Sequence, residues 1–496
     1  MAETIALSLV SHTNVGKTTL ARTLLGRDIG EVRDAPHVTE FADAHRLLQD
    51  EAGNTLTLWD TPGFGDSVRL VRRLRQQGNP LGWFLAEVWD RWRDRPFWAS
   101  QQVVRHVREG SDVVLYLVNA AEPPEAAGYV APEMELLAWI GKPVLVLLNQ
   151  LGTPRGARAD EEDLQRWRTL LQRWTLVRAV LPLDAFARCW VQEGALWQAV
   201  QAALPQERQE TMRALRSAWA QQRRGQFDAA MAALAASLAA LAATRAPLAE
   251  RSGMRDTLRQ IGSTLGLAEN RPAALQSAER ELAAQVDRQT RDSTEALIRL
   301  HGLDGRAGGL VLERLAEQLQ WRQRVGEGSA ALLGGLVSGA ATGLAADVAS
   351  GGLTLGGGMI AGGVLGALGA AGLARGLNVV RGTDRGFVAL APAAMQELTR
   401  AALLRYLAVA HFGRGRGQWR DGEAPPHWGE AVRQALAARS EALDGLWQGR
   451  SQAFDNPGEA ERLRTALQPL LARSAEDTLA RLYPDAWNEG KPGASP

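Results

Sequence analysis

Short, largely apolar runs punctuate residues 1–205: Ile5 to Val10, Val113 to Val118, Val144 to Leu148 and Val177 to Leu183. Runs of this length, bounded by turn residues, predict strands buried on both faces, as in a parallel sheet. Phe41 to Leu48 and Thr55 to Trp59 flank the turn signal Glu51-Ala52-Gly53-Asn54, which predicts two more strands. Between the runs lie helical stretches. Thr19 to Leu25 follows the first run, and Leu164, Trp167, Leu170, Leu171 and Trp174 recur at helical spacing. Strands alternating with helices predict an α/β domain with a mostly parallel six-stranded sheet, covered on both faces.

From about Glu207 the pattern changes. Ala, Leu, Arg, Gln and Glu dominate to about Leu300, and a second such stretch runs from Pro392 to Leu482. These predict a large all-α domain over 206–485. Residues 486–496 read as a disordered tail. Inside the helical domain, residues 329–380 form a zone rich in Gly, Ala and Leu. Ser329 to Ala346 and Val348 to Ala374 carry no charge, and only Asp347 interrupts them. Gly335, Gly339 and Gly343 are spaced by four, as are Gly358, Gly362 and Gly366, a glycine-zipper pattern that lets helix backbones pack closely. Each half is long enough to cross a bilayer, so two placements stay open: a soluble hairpin, or membrane contact through 329–380. Arg322, Arg324, Arg375 and Arg381 flank the zone and would keep both ends cytoplasmic.

Composition narrows the function classes. The net charge of +1 on 496 residues does not indicate a globally basic nucleic-acid binder, so nucleic acid is not an expected partner. Cys189 is the only cysteine, which excludes an intramolecular disulfide and fits a reducing cytoplasm. The apolar run near the N-terminus lacks a basic flank and reads as a strand, not a secretory signal. Positive charge comes almost entirely from arginine; lysine occurs only as Lys17, Lys142 and Lys491. The histidines show no metal-ligand spacing, and His12 reads either as a phosphate contact or as a solvated loop side chain.

Lys17 sits in Ser11-His12-Thr13-Asn14-Val15-Gly16-Lys17-Thr18, directly after the first strand. This is the phosphate-loop pattern with Ser11 in place of the first glycine. Backbone N–H groups over Asn14, Val15, Gly16, Thr18 and Thr19 would cradle phosphates. Lys17 would reach the β- and γ-phosphates, and Thr18 would hold Mg²⁺. Trp59-Asp60-Thr61-Pro62-Gly63-Phe64 supplies a second element: Asp60 for Mg²⁺ and the Gly63 N–H for the γ-phosphate. Thr39 lies between them at a spacing suited to closing the Mg²⁺ shell. Lys17 and Thr39 are the candidate catalytic residues, and Thr18, Thr39 and Asp60 the candidate metal ligands.

Asn14-Val15-Gly16-Lys17-Thr18-Thr19-Leu20 together with Asp60-Thr61-Pro62-Gly63-Phe64 resembles the Era/TrmE-like branch of bacterial P-loop GTPases. Arg33-Asp34-Ala35-Pro36-His37 and Leu183-Asp184-Ala185-Phe186-Ala187 resemble a narrower group, in which an Era-like domain is fused to a C-terminal domain of unknown function. The resemblance implies a Mg²⁺-dependent hydrolase that binds GTP and GDP, with a protein partner of unknown identity. It places Asn149 and Gln150 in the base-reading loop and Asp184 and Ala185 in the following one. Asp184 reads equally as a helix N-cap.

Three departures from the family pattern bear on activity. Gln150 and Gly152 stand where a lysine and the guanine-reading aspartate are usual, so guanine over adenine selectivity stays open. Phe64 follows Gly63 where many GTPases have a water-orienting glutamine, which predicts slow hydrolysis. An insertion at about 78–100 carries Trp83, Phe84, Trp89, Trp92, Phe97 and Trp98, either as a packed helix or as a docking surface. The reading is a nucleotide-controlled switch, cytoplasmic or attached to the inner membrane peripherally or by the hairpin. A regulatory scaffold with little hydrolysis and a TrmE-like role in tRNA modification are the alternatives.

Overall fold

The computed structural model describes residues 2–12, 15–26, 43–61, 63–64, 67–76, 95–150, 157–183, 189–247, 273–303, 377–380, 386–411 and 426–490. Six strands make the first sheet: β1 (Thr4–Ser11), β2 (Asp43–Gln49), β3 (Thr55–Asp60), β4 (Val113–Asn119), β5 (Val144–Asn149) and β6 (Val177–Pro182). Their order is β2-β3-β1-β4-β5-β6. All neighbours are parallel except β2 and β3, which are antiparallel and meet through the turn at Gly53. Leu7 pairs with Leu58 on one side and with Val113 on the other, so β1 is central.

The helices around this sheet are α1 (Lys17–Leu25), α2 (Ser67–Gln76), α3 (Arg95–Gly110), α4 (Val130–Ile140), α5 (Ala157–Leu171) and α6 (Trp190–Ala203). The apolar runs of β1, β4 and β5 feed both faces because strand side chains alternate, whereas β6, at the edge of the sheet, buries only Val180. Leu115, Leu117, Leu145 and Leu147 join Leu20, Leu24 and Leu196 in one core. Val114, Tyr116, Val144 and Val146 join Met134, Leu137 and Trp167 in the other. The expected helix at Leu164 to Trp174 buries Leu164, Trp167 and Leu171, as its spacing requires.

Beyond the sheet come α7 (Gln206–Ala243), β7 (Ala246–Pro247), α8 (Ala273–Leu300), β8 (Leu377–Val380), β9 (Phe387–Leu390), α9 (Pro392–Ala410), α10 (Pro426–Ala437), α11 (Ser440–Gln448), α12 (Glu459–Leu482) and α13 (Pro484–Gly490). The chain falls into two compact units, dividing inside α7 between Arg224 and Gly225; the first also takes in His411 and the segment from Tyr483 onward. The second unit is mostly helical. In its core Phe227 meets Tyr406 edge to face at 5.7 Å, and Ser237 Oγ donates to the Gln289 carbonyl at 2.9 Å.

The C-terminal region is mostly helical, as expected, but not helical throughout: β7, β9 and β8 form a three-stranded antiparallel sheet. Leu377 to Val380 and Phe387 to Leu390 carry the β-branched and aromatic residues that favour it, so the end of the 329–380 zone is strand, not hairpin helix. The tail from 486 is not disordered throughout either, because α13 continues to Gly490. Its Trp487 ring lies 5.9 Å from Trp190, giving this short helix an aromatic anchor within the first unit. The rest of the Gly/Ala hairpin lies outside the described residues. Among those described, only α7 is long and apolar enough to cross a membrane, and 56% of its apolar window is buried in the protein. The insertion is described only from Arg95, as the backbone of α3; Trp83, Phe84, Trp89 and Trp92 lie outside.

Candidate functional site

β1, β3 and β5 run parallel, so Ser11, Asp60 and Asn149 arrive together at the C-terminal edge of the sheet. Ligands bind at this edge in open α/β sheets. β1 ends at Ser11 and α1 starts at Lys17, with Gly16 at the N-cap in the left-handed region, φ 95°. A helix N-terminus opening from a glycine-containing turn presents its first N–H groups to an anion.

Lys17 lies buried in this turn, and its Nζ donates to Ser11 Oγ at 2.9 Å. Ser11 Oγ donates in turn to the His12 carbonyl. The serine that replaces the usual glycine therefore holds the lysine head. Burial pushes the Lys17 ammonium below its ordinary pKa, against the opposing pull of Asp60 and Glu133. Thr18 Oγ1 donates to Asp60 Oδ2 at 2.9 Å, so the two expected metal ligands meet. A hydroxyl and a carboxylate converging beside a phosphate loop are hard oxygen donors and fit Mg²⁺.

Asp60 is nearly fully buried, and the adjoining Thr61 Oγ1 donates to the Leu9 carbonyl at 2.7 Å. Phe64 N donates to the Ser11 carbonyl at 3.0 Å, which ties the segment after Gly63 to the loop. The Phe64 side chain is fully buried in the sheet core. From β5, buried Asn149 donates through Nδ2 to the Val15 carbonyl at 2.7 Å. Gln150 holds a positive φ of 56°. Thr19 is buried in α1, where its carbonyl accepts from Thr23 Oγ1. Val15, Gly16, Lys17, Thr18, Thr19, Asp60, Gly63, Asn149 and Gln150 are thus placed. Asn14, Thr39, Asp184 and Ala185 lie outside the described residues, as does Gly152. The helix after β6 starts at Trp190 with Cys189 at its N-cap.

Sequence reasoning missed one cluster. His12 is not a freely solvated loop side chain. Its Nδ1 meets Glu133 Oε1 at 2.8 Å, and its ring stacks on Tyr129 at 4.7 Å. Glu133 is fully buried, and its other oxygen accepts from Tyr116 OH at 2.7 Å. Burial raises the Glu133 carboxyl above its ordinary pKa, opposed by His12, Tyr116 and Lys17. The available signal was an acid among Val130, Met134, Leu136 and Leu137 on one short helix.

The model of the 50S ribosome-binding GTPase family matches residues 6–150, and that of the domain of unknown function DUF3482 matches residues 168–470. GTPase Der of Myxococcus xanthus is 40% identical over 155 residues, 30% of this chain and 27% of that protein. GTPase Der of Symbiobacterium thermophilum is 30% identical over 204 residues, 40% of this chain and 34% of that protein. The chain thus spans about a third or less of these relatives' length. Among solved structures, Era of Aquifex aeolicus bound to GDP and AlF4⁻ is 16% identical, covering 41% of this chain and 58% of that one, with a TM-score of 0.30. Era in complex with MgGDPNP and part of 16S ribosomal RNA is also 16% identical, covering 42% and 58%, with a TM-score of 0.30. The chain belongs to the DUF3482 family, carried behind an N-terminal P-loop domain of the 50S ribosome-binding GTPase family.

Proposed function

We propose that this protein is a Mg²⁺-dependent GTP-binding switch that hydrolyses GTP slowly. The observation that carries the reading is the convergence of Lys17, Thr18 and Asp60 around the left-handed turn at Gly16. Lys17 would leave Ser11 Oγ for the β- and γ-phosphates, exchanging a neutral partner for anionic ones. Thr18 and Asp60 would hold Mg²⁺, which when bound neutralises phosphate charge. Asn149 braces the loop through Val15 and would sit beside the base. Nucleotide state would be felt through the Phe64-to-Ser11 backbone bond, which joins the phosphate loop to the segment before α2.

Slow turnover is supported by Phe64. A side chain buried in the core neither carries a polar group nor reaches an attacking water. The same observation favours a second reading, a nucleotide-holding scaffold that barely turns over. Calorimetry with GTP, GDP and ATP plus Mg²⁺, on wild type and Lys17→Ala, tests binding and base choice together. Tight guanine binding lost in the variant supports the switch. Equal affinity for ATP removes the guanine assignment, and no binding removes the reading. Single-turnover hydrolysis then separates switch from scaffold.

A further inference from the structure

The phosphate loop leaves β1 through His12, and three separate elements meet there. Phe64 pairs with the His12 backbone in a parallel bridge. Glu133 of α4 holds the imidazole by Nδ1 at 2.8 Å, and Tyr129, just before α4, stacks on its face. Tyr116 of β4 fixes the other carboxylate oxygen at 2.7 Å. Tyr129 is itself tied to β4, since its hydroxyl accepts from the Asn119 backbone N–H at 3.3 Å. Both Glu133 and Tyr116 are fully buried. α4 also packs on α2, the helix that follows the Gly63-Phe64 segment.

A carboxylate taken fully out of water is retained at a cost that packing alone would not require. An apolar residue at position 133 would fill the same core next to Met134 and Leu137. What the acid adds is direction: two hydrogen bonds at fixed angles, one of them to His12, the first residue after β1. Preorganised donors bind phosphate better than mobile ones, because the ordering entropy is already spent.

We propose that the hydrogen-bonded chain Tyr116–Glu133–His12 is a positioning strut for the phosphate loop, with His12 and Glu133 setting nucleotide affinity without touching nucleotide. The strut anchors the loop at His12 to α4 and β4, so that Gly16 and Lys17 present their groups in one arrangement. It rests on the nucleotide reading above and adds positioning residues that motif patterns do not contain.

The test uses the full chain, Mg²⁺ and GTP, with affinity read by calorimetry and folding by thermal melting. His12→Leu keeps bulk but loses the donor; Glu133→Met removes both acceptors; Glu133→Gln keeps one acceptor for the imidazole. The expected result is an affinity loss of about tenfold or more for His12→Leu and Glu133→Met. Glu133→Gln should recover most of it, and the double variant His12→Leu with Glu133→Met should lose no more than the worse single one. Wild-type affinity in His12→Leu, or losses that multiply in the double variant, overturns the strut while leaving nucleotide binding intact. Failure of the wild type to bind any nucleotide overturns the underlying reading and the strut with it.

Discussion

Gly16 shows how much one position carries. Its φ of 95° disfavours any side chain, and an added Cβ would stand 2.8 Å from Asn149 Nδ2. Gly16→Ala should cost about 1–3 kcal/mol of stability and release Asn149 from Val15, with GTP binding lost. Urea unfolding and calorimetry check both halves. Phe64 makes the opposite case. Installing the glutamine found in many GTPases should not speed hydrolysis here, because the side chain lies in the core. Phe64→Gln should instead lower stability by about 2–4 kcal/mol while single-turnover hydrolysis stays at the wild-type rate or below. At this scale the sequence exposed Lys17, Thr18 and Asp60 because phosphate chemistry compresses them into short, spaced strings. His12, Glu133 and Tyr116 escaped because Glu133 lies 121 residues from His12, and only the parallel order of β1 and β4 brings them together.

Among elements, β1, β4 and β5 were legible because burial on both faces demands largely apolar runs, and β2 and β3 because a turn signal separates them. β8 and β9 were not, since four-residue strands beside a Gly/Ala-rich zone give too short a pattern to separate from helix. α13 was hidden for a related reason. A seven-residue helix has negligible stability alone, so its sequence looks like a tail, and only packing makes it helical. Trp487 N donates to the Tyr483 carbonyl at 2.8 Å, and the ring packs on Trp190 at the start of α6. Trp487→Ala should therefore lower the stability of the first unit by about 1–3 kcal/mol, and α13 should lose protection in hydrogen exchange. A variant whose α13 amides stay as protected as in the wild type would show that the ring pair does not hold the helix.

For the molecule as a whole, the second unit is knit by buried charge that no local pattern reveals. Arg245 and Glu459, 214 residues apart, pair at 2.6 Å with side chains 5% and 2% exposed. Arg245 also donates to the carbonyls of Ala242, Thr244 and Ser451. Glu459 accepts from the Ser451 backbone as well. Arg450 reaches the Ala242 and Leu390 carbonyls, and its guanidinium is pushed down to about 10 by burial and by Arg245, with Glu459 opposing. The end of α7, β9, the end of α11 and the start of α12 thus share one network around a single carboxylate. Two guanidiniums depend on it, so removing that carboxylate leaves positive charge buried without compensation. Glu459→Gln should destabilise the second unit by about 3–5 kcal/mol, more than truncating a typical core aliphatic by one methyl. The double variant Arg245→Met with Glu459→Leu should cost less than Glu459→Gln, because it removes the directly paired guanidinium with its partner and also the repulsion that Arg245 exerts on Arg450. Denaturant unfolding of the three proteins decides the matter: if the double variant is the less stable one, the network contributes through shape and hydrogen-bond count, and the buried charge is not what makes it fragile.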